Sequence, residues 1–447
     1  MGMQRHALHL RARHVIEKLR LHLPDPGFAS RHRKRPADFT RQRVLTFPVL
    51  MLLLLQKSLK SLQAHVHEFF WQWRGPAVSA GALTHARDKL CASAFVELNA
   101  LVLQTVYQDS AHAPLVQRWR GHRLLGIDSS LVRLPDHASL RRVFGVVECS
   151  NHHGAAGSYP EGRVSVLYDL GNQLALDAVL VGSRQAETEL AAGHLPHVQK
   201  DDVLITDRGY SGYRWFAQVR AAGAHFVARC SRGSFAAVQA LFARNEAGVS
   251  QAVTLAAPQA LRTRCREEHW PLELCVRLVT VRLPSGELEV LASSLLDETL
   301  NPTAEFAGVY WRRWGQETFY ARLKGRLDLE HFSGQTPEAV AQDFAALVLL
   351  ANVESVVSGP AQAELAAVSA RREQSVQVNR AVSLHGIKAR LIDLLASAGP
   401  AEQVLAELTE WFVRTPVSVR PRRAVPRRTP APVRSYHYQR RVRKFVF

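Results

Sequence analysis

The sequence predicts an α/β protein with a helical N-terminal region, and the texture of three stretches predicts it. Residues 1–120 carry apolar residues at helical spacing, residues 122–230 switch to short apolar runs of strand length, and helical spacing returns at 303–358. Strands alternating with helices build a sheet with helices on its faces. At 447 residues the chain exceeds one simple core and is expected to form two or three domains.

In chain order, the longest apolar run is "VLTFPVLMLLLL" (44–55), broken by Thr46 and Pro48. It is too short to span a bilayer and lies too far in for a signal peptide, so it reads as a buried helix and no membrane is expected as a partner. "SLKSLQAHVHEFFWQW" and "ASAFVELNALVLQTVYQ" are amphipathic helices. Between them "GPAVSAGALTHARDKL" (75–90) reads as a turn and a short basic helix, which a helical hairpin explains better than a helix-turn-helix. "VSVLYDLGNQLALDAVLVG" (164–182) reads as two strands joined by a Gly-Asn turn. "DDVLITDRGYSGYRWFAQVRAAGAHFVARC" (201–230) reads as strand, loop, helix, strand, and its continuous apolar runs suit strands covered on both faces. Residues 231–300 add strand-like pieces with little helical signal, and helices follow at 303–328 and 336–358.

The formal net charge is +18 and the pI near 10.2, which points to a polyanionic partner. Residues 1–43 carry a net +8 and residues 413–447 a net +11 with no acid, leaving −1 for the intervening body. The excess sits at the two ends, as expected of basic arms on a phosphate backbone. The tail from Val413 alternates Pro with paired Arg and is expected to be extended or disordered without its partner. Five cysteines at 91, 149, 230, 265 and 275 form no CxxC, which makes a zinc ribbon improbable and fits a reduced cytoplasmic setting.

Three acids stand out by context. Asp128 closes "LLGID", Asp207 closes "VLITD" before a Gly-rich loop, and Glu317 lies in "VYWRRWGQETFYARLK" (309–324). On a continuous helix Tyr310, Arg313, Glu317 and Lys324 share one narrow stripe, with Phe319 and Leu323 on the opposite, core-facing side. Each acid has an ordinary explanation: a turn cap through Ser129 for Asp128, an Asx-turn into Gly209 for Asp207, and a spaced ion pair with Arg313 for Glu317. Carboxylates placed at strand, strand and helix are also what divalent-cation chemistry on phosphodiesters requires.

The pattern Y-x2-R-x3-E-x6-K formed by Tyr310, Arg313, Glu317 and Lys324 resembles the signature of bacterial insertion-sequence transposases of the DDE type, the insertion-sequence-four group. "IDSS", "ITDRGYSG", "LKGRLDLEHFSGQTPEAVAQDFAALVLLANV" and the basic "VRSYHYQRRVRK" are similar to that group as well. The resemblance implies a ribonuclease H-like core with Asp128, Asp207 and Glu317 as catalytic and metal-binding residues, holding two Mg²⁺ ions that Mn²⁺ can replace. The strand-rich stretch 231–300 then falls between the second Asp and the Glu as an inserted β-rich domain. The implied division is a helical DNA-binding domain (1–120), the core in two parts (121–230 and 301–358) flanking that insertion, a C-terminal helical region (359–412) and a basic tail (413–447). The implied activity is cleavage at an element's terminal inverted repeats and joining of the 3′-hydroxyl ends to target DNA. Double-stranded DNA is the partner and a homodimer pairs the two ends, in the bacterial cytoplasm with the nucleoid. Tyr310, Arg313, Lys324 and Arg208 are expected to contact DNA, and Trp314 to stack on an extruded base or serve as a packing indole. A ribonuclease H-like nuclease or resolvase without strand transfer, and a non-catalytic DNA-binding protein, are the alternatives.

Overall fold

In the computed structural model, the described residues are 2–41, 43–150, 156–283, 285–372 and 374–419. Among them, nine strands form one mixed sheet: β1 Leu124–Arg133, β2 Val146–Ser150, β3 Ala156–Asp169, β4 Leu174–Gly182, β5 Val203–Thr206, β6 His225–Arg229, β7 Ser250–Ala256, β8 Glu273–Arg282 and β9 Leu288–Ser293. The strand order is β2-β3-β1-β5-β6-β9-β8-β7, with β4 also paired to β3. β1 is antiparallel to β3 and parallel to β5, and β5 is parallel to β6. The protein is thus mixed α/β with a central mixed sheet.

The hairpin expected at 164–182 is β3–β4, and its turn is set locally. Asp169 Oδ1 accepts the N–H groups of Gly171 at 3.0 Å and Asn172 at 2.8 Å. "VLIT" and "HFVA" are strands covered on both faces. Leu204, Phe226 and Ala228 pack toward the helix Tyr213–Ala221, while Val203, Ile205 and Val227 pack toward the helix Phe306–Trp311. The apolar run 44–55 is a buried helix, Phe47–Leu55, with Thr46 at its N-cap and Pro48 in its first turn, where a missing N–H costs nothing.

The stretch 231–300, expected as an inserted β-rich domain, extends the central sheet. β9 pairs with β6 and β8 pairs with β9, so the edge that β6 would otherwise leave open is covered. Two short helices, Ala236–Arg244 and Gln259–Glu267, lie in this stretch where little helical signal was expected. The second is largely polar and buries Cys265 alone, too little apolar content to mark a helix by periodicity.

The N-terminal 120 residues do not keep a core to themselves. The helices Gly2–His22, Phe47–Leu55 and Ser93–Tyr107 share one apolar cluster with the helices Pro337–Val357, Gly359–Ser369 and Ala401–Arg414 and with one face of β3 and β4. Several of the basic residues expected to form an N-terminal arm are paired within this assembly. Arg5 bridges to Glu364 at 2.8 Å and Arg13 to Glu402 at 3.1 Å, while Arg20 donates to the carbonyls of Asp393 at 2.5 Å and Gly399 at 2.7 Å. A segment's net charge does not reveal partners that the fold brings from four hundred residues away. Pro337–Val357 is long and apolar enough to cross a membrane, but most of its surface is buried in this cluster. The basic tail from residue 420 onward lies outside the described residues.

Candidate active site

β1 and β5 run parallel in the register Leu124↔Val203, Leu125↔Leu204, Gly126↔Ile205. Two residues further along each chain stand Asp128 and Asp207. Because side chains alternate across a sheet, both acids project on the face that Leu124, Val203 and Ile205 share with Phe306, Val309 and Tyr310. β1 continues to Arg133, so Asp128 lies within its strand rather than at its end. β5 stops at Thr206, and Asp207 turns into a short 3₁₀ segment whose Gly209 N–H donates to its Oδ1 at 2.9 Å. Asp128 Oδ1 likewise accepts the Ser129 N–H at 2.8 Å. The Asx-turn at Asp207 is formed, whereas the Asp128 bond lies within the strand and caps no turn; each engages one carboxylate oxygen.

Glu317 lies on the helix Trp314–Gly325, which docks along β1 on this same face. Three residues one turn apart make the docking bonds. Gln316 Nε2 donates to the Val166 carbonyl at 3.1 Å, Tyr320 Oη to the Asp128 carbonyl at 2.7 Å, and Lys324 Nζ to the Leu131 carbonyl at 2.5 Å. The glycine in "LLGID" allows the close approach: a Cβ on Gly126 would stand 2.8 Å from Gln316 Oε1 and 3.2 Å from Leu170 Cδ2, so those side chains would have to shift. Phe319 and Leu323 are buried in the helical core, as the periodicity predicts.

The helix expected over 303–328 is interrupted. Phe306–Trp311 and Trp314–Gly325 are separate, and the chain between them tightens: Arg313 N–H donates to Tyr310 at 3.0 Å and Gln316 N–H to Arg313 at 2.9 Å, each three residues apart. The four residues of the Tyr-Arg-Glu-Lys pattern therefore do not form one exposed stripe. Tyr310 is only 5% exposed and Arg313 only 6%. The Arg313 guanidinium lies 5.7 Å from the Tyr310 ring and 5.6 Å from the Trp314 ring, and its Nη2 bonds Glu317 Oε1 at 2.9 Å. The ion pair given as the ordinary explanation of Glu317 is formed. Tyr310, expected to contact DNA, is buried against Arg313. Lys324 is half-buried and bonded to backbone, so it holds the helix on β1 rather than facing solvent as a phosphate clamp. Trp314 is 42% exposed and its ring lies 5.8 Å from that of Trp311, itself 50% exposed. Arg208 is exposed beside Asp207, and its guanidinium comes within 3.5 Å of Glu287 and Glu289.

Electrostatics identify neighbours that periodicity did not single out. Burial pushes the Asp128 carboxyl up to about 6, with the charge of Asp207 acting in the same direction and the Ser129 N–H and Arg313 opposing. Glu187, in the first turn of the helix Glu187–Gly193, adds negative charge at Asp128 and pairs with Arg163, which donates to Ser129 Oγ at 2.8 Å. Burial and the carboxylates of Asp128, Glu187 and Asp207 hold the Tyr210 phenol well above its ordinary range. Nothing in the spacing along the chain links Arg163 or Glu187 to Asp128. A buried carboxyl such as that of Asp128, whose proton affinity is raised by burial and by neighbouring negative charge, is an oxygen donor that a hard divalent cation would relieve. By that test the residues fit such an ion. Among the described residues, the three-ligand group closed to within 4.8 Å is elsewhere, at His14, Asp109 and His112.

Ser165, His194 and Asp177 reproduce the hydrogen-bond order of a nucleophilic triad, at 2.9 Å and 2.6 Å. Ser165 is fully buried and His194 almost so, which leaves no path for a substrate. The trio pins the helix Glu187–Gly193 and its following turn to β3 and β4.

The family model described as the transposase DDE domain matches residues 119–353, more than half of the chain and all of the elements that carry the three acids. InsZ of Escherichia coli (strain K12), which is named as a transposase, is 30% identical over 131 residues, 29% of this chain. The match spans 42% of that relative's length. A solved structure, the piggyBac transposase synaptic complex with hairpin DNA, superposes with a TM-score of 0.46 at 10% identity, covering 88% of this chain and 84% of that chain.

Proposed function

The chain belongs to the transposase DDE domain family, and from that premise we propose that it is a DNA transposase. It binds the terminal inverted repeats of an insertion sequence, cleaves at the element's ends and joins the 3′-hydroxyl ends to target DNA, working as a homodimer that pairs two ends. The observation that carries this reading is the placement of Asp128 and Asp207 side by side on parallel strands, beneath the helix that bears Glu317. The same placement supports a ribonuclease H-like core built from β1, β3 to β6 and that helix, and the Tyr-Arg-Glu-Lys spacing supports the insertion-sequence-four group.

Asp128, Asp207 and Glu317 would hold two Mg²⁺ ions, or Mn²⁺ in their place. Bound there, the ions would polarise the scissile phosphate and stabilise the attacking and leaving oxygens. The chain's own residues orient the substrate. Arg313, packed beside two rings and paired with Glu317, fixes that carboxylate, and Arg208 offers an exposed cation next to Asp207 for a phosphate. Trp314 and Trp311 offer exposed indole faces on which an unpaired base can stack.

The test is incubation of the full-length protein and Mg²⁺ with DNA bearing the element's flanking inverted repeats. Cleavage at the ends followed by joined products is the expected result. Cleavage without joining would instead indicate a nuclease or resolvase, and binding without cleavage a non-catalytic DNA-binding protein.

A further inference from the structure

Outside the set of three acids, the N-terminal helix Gly2–His22 meets the connector that leads from the helix Ser93–Tyr107 toward β1. There His14 Nδ1 lies 3.0 Å from His112 Nε2 and 3.5 Å from Asp109 Oδ2, and the three ligand atoms lie within 4.8 Å of one another. We propose that His14, Asp109 and His112 form a binding site for a borderline transition-metal cation of the Zn²⁺ class, which clamps the N-terminal helix to this connector.

The distances carry the argument. Ligands about 2.0–2.1 Å from a tetrahedral Zn²⁺ lie about 3.3–3.4 Å from one another. The observed 3.0 Å and 3.5 Å bracket that edge length. The donor set of two imidazoles and a carboxylate suits Zn²⁺, Co²⁺ or Ni²⁺ and suits Mg²⁺ poorly, which separates it chemically from the all-carboxylate site.

The connector is built to present its two ligands together. Asp109 Oδ1 accepts the Ala111 N–H at 3.0 Å, and the Asp109 carbonyl accepts the N–H groups of His112 at 2.9 Å and Ala113 at 2.8 Å. That turn fixes the carboxylate and leaves Oδ2 directed at His14. His112 is 5% exposed, so its ring is held in place by the surrounding packing. The side chains of His14 and Asp109 keep 36% and 21% exposure, enough for an ion to enter and for water to complete four-coordination. The charged groups facing His112 are Asp109, His14, Arg11 and Lys18, and Lys18 Nζ stands 3.8 Å from Asp109 Oδ2. Lys18 is therefore a built-in competitor for the carboxylate. That makes binding weaker than at a dedicated structural zinc site and gives the test its sharpest arm.

The experiment titrates metal-stripped full-length protein with Co²⁺ and then displaces it with Zn²⁺, following visible absorption and the thermal midpoint. One equivalent of Co²⁺ should give the intense bands of a tetrahedral N/O site, and Zn²⁺ should bleach them and raise the midpoint. His14→Ala and His112→Ala should each weaken binding by at least about a hundredfold. Lys18→Met should tighten it by about threefold to tenfold. Asp128→Asn with Asp207→Asn should leave the bands unchanged. Should His112→Ala not fold, His14→Ala and Lys18→Met carry the test. Octahedral or absent cobalt bands in the native protein, or bands that survive His14→Ala, would overturn the proposal.

Discussion

The hydroxyl of Tyr320 donates a hydrogen bond to the backbone carbonyl of Asp128 at 2.7 Å, joining the helix that bears one acid to the strand that bears another. Tyr320 is only 7% exposed, so the docking of the Glu317 helix on the Asp128 strand rests on a largely interior bond and not on a flexible surface contact. Tyr320→Phe should lower stability by about 1 kcal/mol, as for a typical buried hydrogen bond. It should slow end cleavage about tenfold through misplacement of Glu317 while leaving DNA affinity unchanged. Urea midpoints, single-turnover cleavage and gel-shift titration separate the three effects, and wild-type cleavage in the variant would show that the bond does not position the site.

Asp128→Asn, Asp207→Asn and Glu317→Gln should each abolish Mg²⁺-dependent cleavage with DNA binding largely intact. The amide keeps the shape but loses the charge that holds a divalent cation. Near-native cleavage by any one of them removes that residue from the assignment.

Arg313 and Lys324 should part company. Arg313→Ala leaves Glu317 without its partner and two rings without their cation, and cleavage should fall about a hundredfold. Arg313→Lys should rescue little, because an ammonium does not stack as a planar guanidinium does. Lys324→Met should lower stability and cleavage together without changing the salt dependence of DNA binding. If Lys324 did reach a phosphate, the slope of log affinity against log salt would flatten by about 0.9.

The tail's role rests on charge. Residues 413–447 supply +11 with no acid. Removing residues 420–447 should weaken binding to terminal-repeat and random DNA alike and flatten the salt slope by several units if most arginines touch phosphate. An unchanged slope combined with loss of end pairing would assign the tail to contacts between protomers.

An acid-sensitive joint lies elsewhere, where Glu97 accepts bonds from Arg31 at 2.5 Å, His32 at 2.7 Å and His22 at 2.7 Å. Arg31 first, with His32 and His22, holds the Glu97 carboxyl down at about 2 against an ordinary 4.5. A depressed folded value stabilises the protein above pH 4.5, and that contribution disappears as pH falls through 4.5 toward 2. With solvent screening it amounts to on the order of 1 kcal/mol. Urea midpoints of the native protein and Glu97→Gln should therefore differ at pH 6 and converge by about pH 2 to 3. A constant gap across that range would show that the bonds, and not the charge, matter.

Much of the site was legible along the chain because strand and turn chemistry is local. "LLGID" and "VLITD" each hold an apolar run that must be covered, and each delivers an acid beside a turn-forming residue. The same locality made the β3–β4 turn and the buried helix at 44–55 readable. The break at Arg312 and Arg313 was not readable, because the segment's composition suits a continuous helix, while the folded chain tightens there and buries Tyr310 and Arg313. Glu187 was hidden for a different reason, since its link to Asp128 runs through Arg163 and Ser129 across three elements.

By itself, then, the sequence determined the order of the elements, the apolar runs that become central strands, the spacing of Tyr310, Arg313, Glu317 and Lys324, and the basic ends. The tertiary structure alone decided that β7 to β9 continue one sheet, that Arg5, Arg13 and Arg20 are paired with C-terminal acids and carbonyls, and that Lys324 bonds backbone while Arg313 holds Glu317. The physical reason is range. Propensity, capping and periodicity act over a few residues, whereas strand neighbours, ion-pair partners and the burial of a side chain depend on segments that meet only when the chain closes on itself.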